Sequence, residues 1–310
     1  MLGKWCAVED LERVIIPREE YTPFPKVTDR QSWERIPETL RRDLVRSADE
    51  YIGWSWPALP ATLFMEYRRN GDRQRYERPH FARRRALEAM ILAECVEDQG
   101  RFLDEIINGI WLICEESFWG IPAHTYSSEP LPDTAHPVID LFAAETGSLL
   151  VWGLYLLQSR LDAVSPVIGE RIHREVRERI LDPFLQRDDF WWMGLTNPNR
   201  RLNNWTPWCV SNCLSAALIC EGDPSRRLTG IAKALRILDN FLAPYPKDGG
   251  CDEGPSYWAR AGGSLFDCLE LLHSASDGRI CVYDDPLIQD IGRYLYRSFI
   301  SGRYFVNFAD

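Results

Sequence analysis

The chain is poor in histidine, with 5 in 310 residues, and short of basic charge. Its 36 lysines and arginines stand against 46 aspartates and glutamates, a formal net charge of −10. A nucleic-acid partner normally selects a basic face, so this balance argues against one, and nothing in it suggests a membrane surface. An acidic ligand would need a local positive pocket. No run reaches the ~18 apolar residues of a membrane span. The start, MLGKWCAVEDLERVIIP, has neither the basic-then-apolar profile nor the small-residue cleavage site of a signal peptide. A cytoplasmic location is expected, or a periplasmic one if a leader was removed. Convincing alternating strands are missing until RYFVNFAD, residues 303–310, which argues against a β fold. The 9 cysteines, an odd number scattered through helical patterns, fit reduced buried thiols better than a disulfide framework. Cys209 and Cys213 share a helix face, but no histidine lies nearby at zinc-ligand spacing, so packing is preferred to a metal.

What is present is helical periodicity. Residues 1–31, rich in charge and proline (PREEYTPFPK), read as an extended arm. Beyond them Ala61–Asn70 is helical and Gly71 stops it; Leu87, Met90, Ile91 and Cys95 define an amphipathic helix that ends near Gly100. Phe102, Ile106, Ile110 and Ile113 continue the pattern while Leu103, Ile107 and Trp111 occupy the opposite face, so that helix is expected to be buried on both sides. Residues 116–137 form a long aromatic loop, a length that inside a compact domain points to function. Further helices are expected over 139–161, 165–186, 210–218, 228–242, 257–274 and 286–300. Helices joined alternately by short turns and long polar loops predict an all-α fold. Its usual closed form is an (α/α) toroid of stacked helical hairpins, here an incomplete α/α barrel over 32–303. Residues 304–310 look like the start of a further β domain.

Two segments carry the candidate chemistry, RRLNNWTPW at 200–208 and DGGCDEGPSYWARAGG at 248–263. Each leads from a polar loop into a helical pattern headed by proline, with Pro207 and Pro255 read as first helical residues and Thr206 as an N-cap. Helix starts are electropositive and suit anions. An asparagine amide such as that of Asn204 can donate to a carboxylate and stabilise an enolate-like charge. Tyr257, placed in a first helical turn, is suited to exchange protons with a sugar carbon and a leaving oxygen. The plainer readings are capping and loop hydrogen bonds for Asn203 and Asn204, and packing for Tyr257. Asn204-Trp205-Thr206 also matches a glycosylation sequon. Asp248, Asp252 and Glu253 offer paired acids for an inverting glycosidase.

Taken together, NNW followed some fifty residues later by DGG-x-x-EGPSYW resembles the α-helical domain of heparinase II/III-like polysaccharide lyases, a group that includes alginate lyases. The segments WPALPATLFMEYRRNGDR and WGIPAHT, which begin at Trp56 and Trp119, are similar to bacterial members. The resemblance implies that Asn204, less securely Asn203, neutralises a uronate carboxylate and that Tyr257 serves as acid, or as base and acid. Several members have histidine where this chain has Trp205, so a base from that position is not expected. It also implies site residues from a C-terminal β-sandwich, missing here beyond residue 310.

The expected activity is carbon–oxygen lysis of uronate-containing oligo- or polysaccharides by β-elimination, with no redox cofactor and no metal. Arg201 and Arg200 are candidates for carboxylate or sulfate binding. His124 is a candidate for substrate contact, Glu253 for orienting Tyr257, and Trp119, Trp191, Trp192, Trp205 and Trp258 for stacking on sugar faces. The alternatives are a glycoside hydrolase on an α/α toroid and a non-catalytic glycan-binding domain. Oligomeric state, the uronic acid and its sulfation are not legible.

Overall fold

The computed structural model of the chain describes residues 1–125, 128–197 and 199–309. It is mostly helical, as expected, and the sheet among the described residues is a two-stranded antiparallel pair. By packing, the chain divides into two units: Phe24–Pro183, and Met1–Pro23 together with the chain from Phe184 onward. Residues 32–303, expected to form one domain, contribute to both units. The N-terminal residues also differ from an extended arm: they contain helix α1 (Val8–Val14), whose Leu11 is wholly buried, and short helical turns at Gly3–Trp5 and Arg18–Glu20.

The first unit contains α2 (Arg30–Glu34), α3 (Glu38–Asp49), α4 (Ala61–Asn70), α5 (Gln74–Glu97), α6 (Leu103–Glu115), α7 (Leu141–Val164) and α8 (Val167–Val176). Gly71 ends α4 in the left-handed region, φ 79°, where a residue without Cβ carries no steric penalty. Helix α5 packs on α3, α6 and α7. Its buried Glu94 reaches past the end of the helix to accept from the N–H groups of Gly100 (2.6 Å) and Phe102 (3.2 Å), satisfying donors at the start of α6. Ile106, Ile110 and Ile113 of α6 are buried, whereas Trp111 is 36% exposed, so the second face of α6 is only partly covered. That partial cover includes Trp56, which lies against Gly109 and donates to Glu105 (2.9 Å). Among the described residues α7 is the one helix long and apolar enough to cross a bilayer. Of its apolar window 72% is buried inside the protein, as in a core helix.

A π-helical turn, Arg177–Leu181, leads to α9 (Asp182–Gln186), in which the boundary between the units falls. The other unit continues with α10 (Trp205–Cys220), α11 (Pro224–Leu242), α12 (Ser264–Ala275) and α13 (Pro286–Ser298). Strands β1 (Phe299–Ser301) and β2 (Tyr304–Phe305) follow and pair with each other. Helix α10 is apolar on every side and packs against both α11 and α12, the pattern of a central helix. Cys209 and Cys213 of α10 and Cys268 of α12 are fully buried, and burial raises the thiol pKa of Cys213 and Cys268.

Candidate functional site

The site is built at the start of α10. Asn204 occupies the N-cap position, and its carbonyl accepts the first helical bond from Trp208 N–H (3.1 Å). Asn203 caps the turn with its side chain, Oδ1 accepting from Trp205 N–H at 3.1 Å. Thr206, expected at the cap, lies inside the helix, and its hydroxyl donates to the Trp192 carbonyl at 2.7 Å. Pro207 is therefore the third helical residue and not the first. The first turn tolerates it there because its missing N–H has no intrahelical partner to lose.

The second segment is held down by glycines. At Gly249, φ +76°, a Cβ would lie 2.2 Å from the Asp290 carbonyl carbon, so the loop passes directly over the α13 backbone. Trp258 extends the anchorage by donating from Nε1 to the Ile291 carbonyl (2.9 Å). Gly254, φ +86°, delays the helix beyond Pro255, which is in a turn. The Tyr257 carbonyl accepts from Arg260 N–H (2.9 Å) and Ala261 N–H (3.0 Å), so Tyr257 stands at the N-cap of the helical run and not in its first turn. That run begins as a π-helical turn, Ala259–Gly263, before α12. Its phenol is half-buried and has no hydrogen-bond partner among the described residues.

The two segments meet. Asn204, 2% exposed, donates from Nδ2 to Glu253 Oε2 at 2.6 Å, and its backbone N–H reaches the same oxygen at 3.4 Å. Alongside, Arg201 pairs with Asp252 at 2.8 Å, with 77% of the arginine side chain exposed. Arg200 lies over the Trp191 ring (4.5 Å), and Trp191 packs against Trp205 with ring centroids 5.1 Å apart. Arg260 lies over Trp208 at 4.0 Å. Both acids favoured by a glycosidase are thus engaged as acceptors, one by an amide and one by a guanidinium.

No protein-family model and no curated protein matches the chain. The residues around the site therefore carry the functional reading by themselves. Trp192, 0% exposed, fills core beneath the site, while Trp191, Trp205 and Trp258 are half-buried. His124 and Trp119 belong to the 24–183 unit. His124 shares a 2.8 Å hydrogen bond with Asp140, the N-cap of α7, and stacks on Phe142. Trp119 is 2% exposed, donates to the Ile113 carbonyl (2.8 Å) and is covered by Arg179, so neither face is open to a sugar. Tyr126 and Ser127 of the long aromatic loop, and Pro198 of the second loop, lie outside the described residues.

Tyr245 is a neighbour that the sequence reading passed over. Its hydroxyl is buried without a partner among the described residues. Burial, then the nearby Cys251, Asp252, Tyr294 and Asp248, raises its pKa, so it stays protonated beneath the loop. An aromatic residue in APYPK gives no sequence signal for such a place.

Proposed function

We propose that the protein is a lyase that cleaves uronate-containing oligo- or polysaccharides by β-elimination at Asn204 and Tyr257. The observation that carries the reading is the 2.6 Å contact joining Asn204 to Glu253, residues 49 apart in sequence. It puts the asparagine amide and the tyrosine segment in one place at the start of a central helix. The uronate carboxylate is received by the Asn204 amide and the electropositive start of α10, which lowers the pKa of the C5 proton. Tyr257 serves as proton carrier, taking the C5 proton as base and returning a proton to the 4-linked oxygen as acid. The C5–H and C4–O bonds break, a C4=C5 double bond forms, and no water or electron carrier is consumed. One donor aimed at the developing charge is worth about 2.7–4 kcal/mol of barrier. The reading carries with it an (α/α) toroid and a β-sandwich domain that contributes further site residues.

The test is ultraviolet absorbance on uronate polymers with the full-length protein, because elimination creates a conjugated double bond and hydrolysis does not. Product absorbance lost in Tyr257→Phe and reduced roughly 100-fold or more in Asn204→Ala is the expected result. New reducing ends without absorbance point to a hydrolase, and near-wild-type turnover of Asn204→Ala removes Asn204 from the mechanism. If Tyr257→Phe changes no measurable behaviour, the chain is a glycan-binding domain.

A further inference from the structure

In the 24–183 unit, α5 carries Tyr76 and Arg83 seven residues apart, two turns along one face. Both line a cavity of about 430 Å³ whose other walls include Phe64, Phe118 and Glu116. The size falls within the usual range for small-molecule sites. Beneath it lies a buried charge cluster in which Arg84 is fully spent. Its Nη2 and Nη1 grip Glu116 at 2.6 and 2.9 Å, and its Nε donates to Thr146 Oγ1 at 3.0 Å. Glu116 is thereby neutralised by a bidentate pair. Arg83, 6% exposed, shares one Glu116 oxygen at 3.0 Å and gives its Nε to the Pro57 carbonyl (2.8 Å). No other described carboxylate pairs with Arg83. Asp140, also buried, is taken up by Ala143 N–H and His124, and Glu115 stands exposed at the rim. Neighbouring His80 brings no charge, because burial and the two arginines hold its pKa well below 6.5. Arg83 therefore contributes a buried guanidinium to the cavity lining, and its Nη2 has no hydrogen-bond partner among the described residues. The Tyr76 hydroxyl on the same wall likewise has no described partner.

We propose that this cavity binds a small monocarboxylate, its anionic group on Arg83 Nη2 within reach of the Tyr76 hydroxyl and its ring-sized body against Phe64 and Phe118. A single carboxylate can accept from the Nη2 that Glu116 leaves open. A phosphate or sulfate dianion would leave net negative charge beside Glu115 and Glu116, which disfavours it. The aromatic walls suit either a sugar ring or an aromatic ring. The proposal does not rest on the elimination chemistry of Asn204 and Tyr257, which lie in the other unit.

The experiment titrates the full chain by calorimetry with glucuronate and glucose, with phenylacetate and 2-phenylethanol, and with inorganic phosphate. Binding by at least one acid, with its neutral counterpart about tenfold weaker or silent, is expected. Glucuronate alone identifies the class as sugar acids, and phenylacetate alone as aromatic acids. Arg83→Lys, which keeps the buried cation but loses the planar fork, and Tyr76→Phe should each weaken the bound acid several-fold while retaining the wild-type far-ultraviolet circular dichroism. If neither acid binds at millimolar concentration, if the alcohols or phosphate bind as well as the acids, or if both variants bind like wild type, the proposal is overturned. The comparison of acid with alcohol needs no variant and so stands even if Arg83→Lys fails to fold.

Discussion

Gly249→Ala tests how rigidly the loop that leads to Tyr257 is seated. Two costs follow from the geometry. An alanine at φ +76° carries the left-handed penalty of about 1–2 kcal/mol. Its Cβ would also stand 2.2, 2.3 and 2.4 Å from Asp290 C, Asp290 O and Ile291 N, against a backbone already fixed in α13. A helix backbone cannot rotate aside as a side chain can, so an overpacking cost of about 1–3 kcal/mol is added. The expected total is roughly 2–5 kcal/mol. Gly278→Ala, in the same unit, isolates the first cost: its φ is +79°, but the nearest atom is the tip of the His273 ring at 3.2 Å, which can move. That variant should lose only about 1–2 kcal/mol. Denaturant unfolding of both variants gives the difference, and amide exchange over residues 248–258 should speed up in Gly249→Ala alone. If Gly249→Ala is no less stable than Gly278→Ala, the loop is not held by close approach to α13, and its fixed placement of Tyr257 fails as an account of the site.

Glu116→Gln keeps the volume of a side chain that is 7% exposed but leaves Arg83 and Arg84 buried without their shared anion. It should lower stability by about 3–5 kcal/mol in denaturant unfolding, whereas Asp43→Asn, which breaks an exposed pair, should leave the midpoint unchanged; equal effects would refute the burial argument. His80, 0% exposed, has both ring nitrogens unpartnered among the described residues, and its folded pKa lies well below 6.5 because of burial and the arginines. Below pH 6.5 the unfolded chain then binds a proton that the folded chain refuses, so stability falls with falling pH by up to about 1.4 kcal/mol per unit. His80→Phe, which fits the aromatic stack with Tyr76 and Phe81, should flatten this slope; an unchanged pH profile of the unfolding midpoint would show that His80 is protonated in the fold.

The helices were legible wherever periodicity and a stop signal coincided. Ala61–Asn70 before Gly71 is recovered residue for residue, and the apolar run from Ile139 becomes α7. Helix starts were read less well because proline is acceptable throughout the first turn. Pro207 therefore does not mark position one, and at Pro255 the left-handed Gly254 delays the helix to Trp258. Periodicity carries no information about a contact 49 residues apart, so the Asn204–Glu253 hydrogen bond was not legible, and Glu253 was read instead as a partner for Tyr257. Arg83 and Arg84 turn inward because Glu116, on a distant loop, meets them, a pairing that no local pattern encodes. Nor does composition separate Trp119 and Trp192, which fill core, from the half-buried Trp205 and Trp258.

The Glu253 contact also bears on how an elimination site would discriminate. Asn204 is buried, and a buried amide without an acceptor costs about 1–3 kcal/mol. Glu253 removes that cost by presenting a carboxylate 2.6 Å from Nδ2, the same chemical group that a uronate would present. On the elimination reading, substrate binding exchanges one carboxylate for another, or adds a second to the remaining amide proton, and the exchange is nearly neutral in the ground state. The gain then comes when proton loss at C5 spreads negative charge onto the substrate carboxylate and makes it the stronger acceptor. An interaction that strengthens mainly in the transition state raises turnover more than affinity. Glu253→Gln should therefore change KM more than kcat, whereas for a hydrolase that uses Glu253 as its acid the same change should abolish kcat.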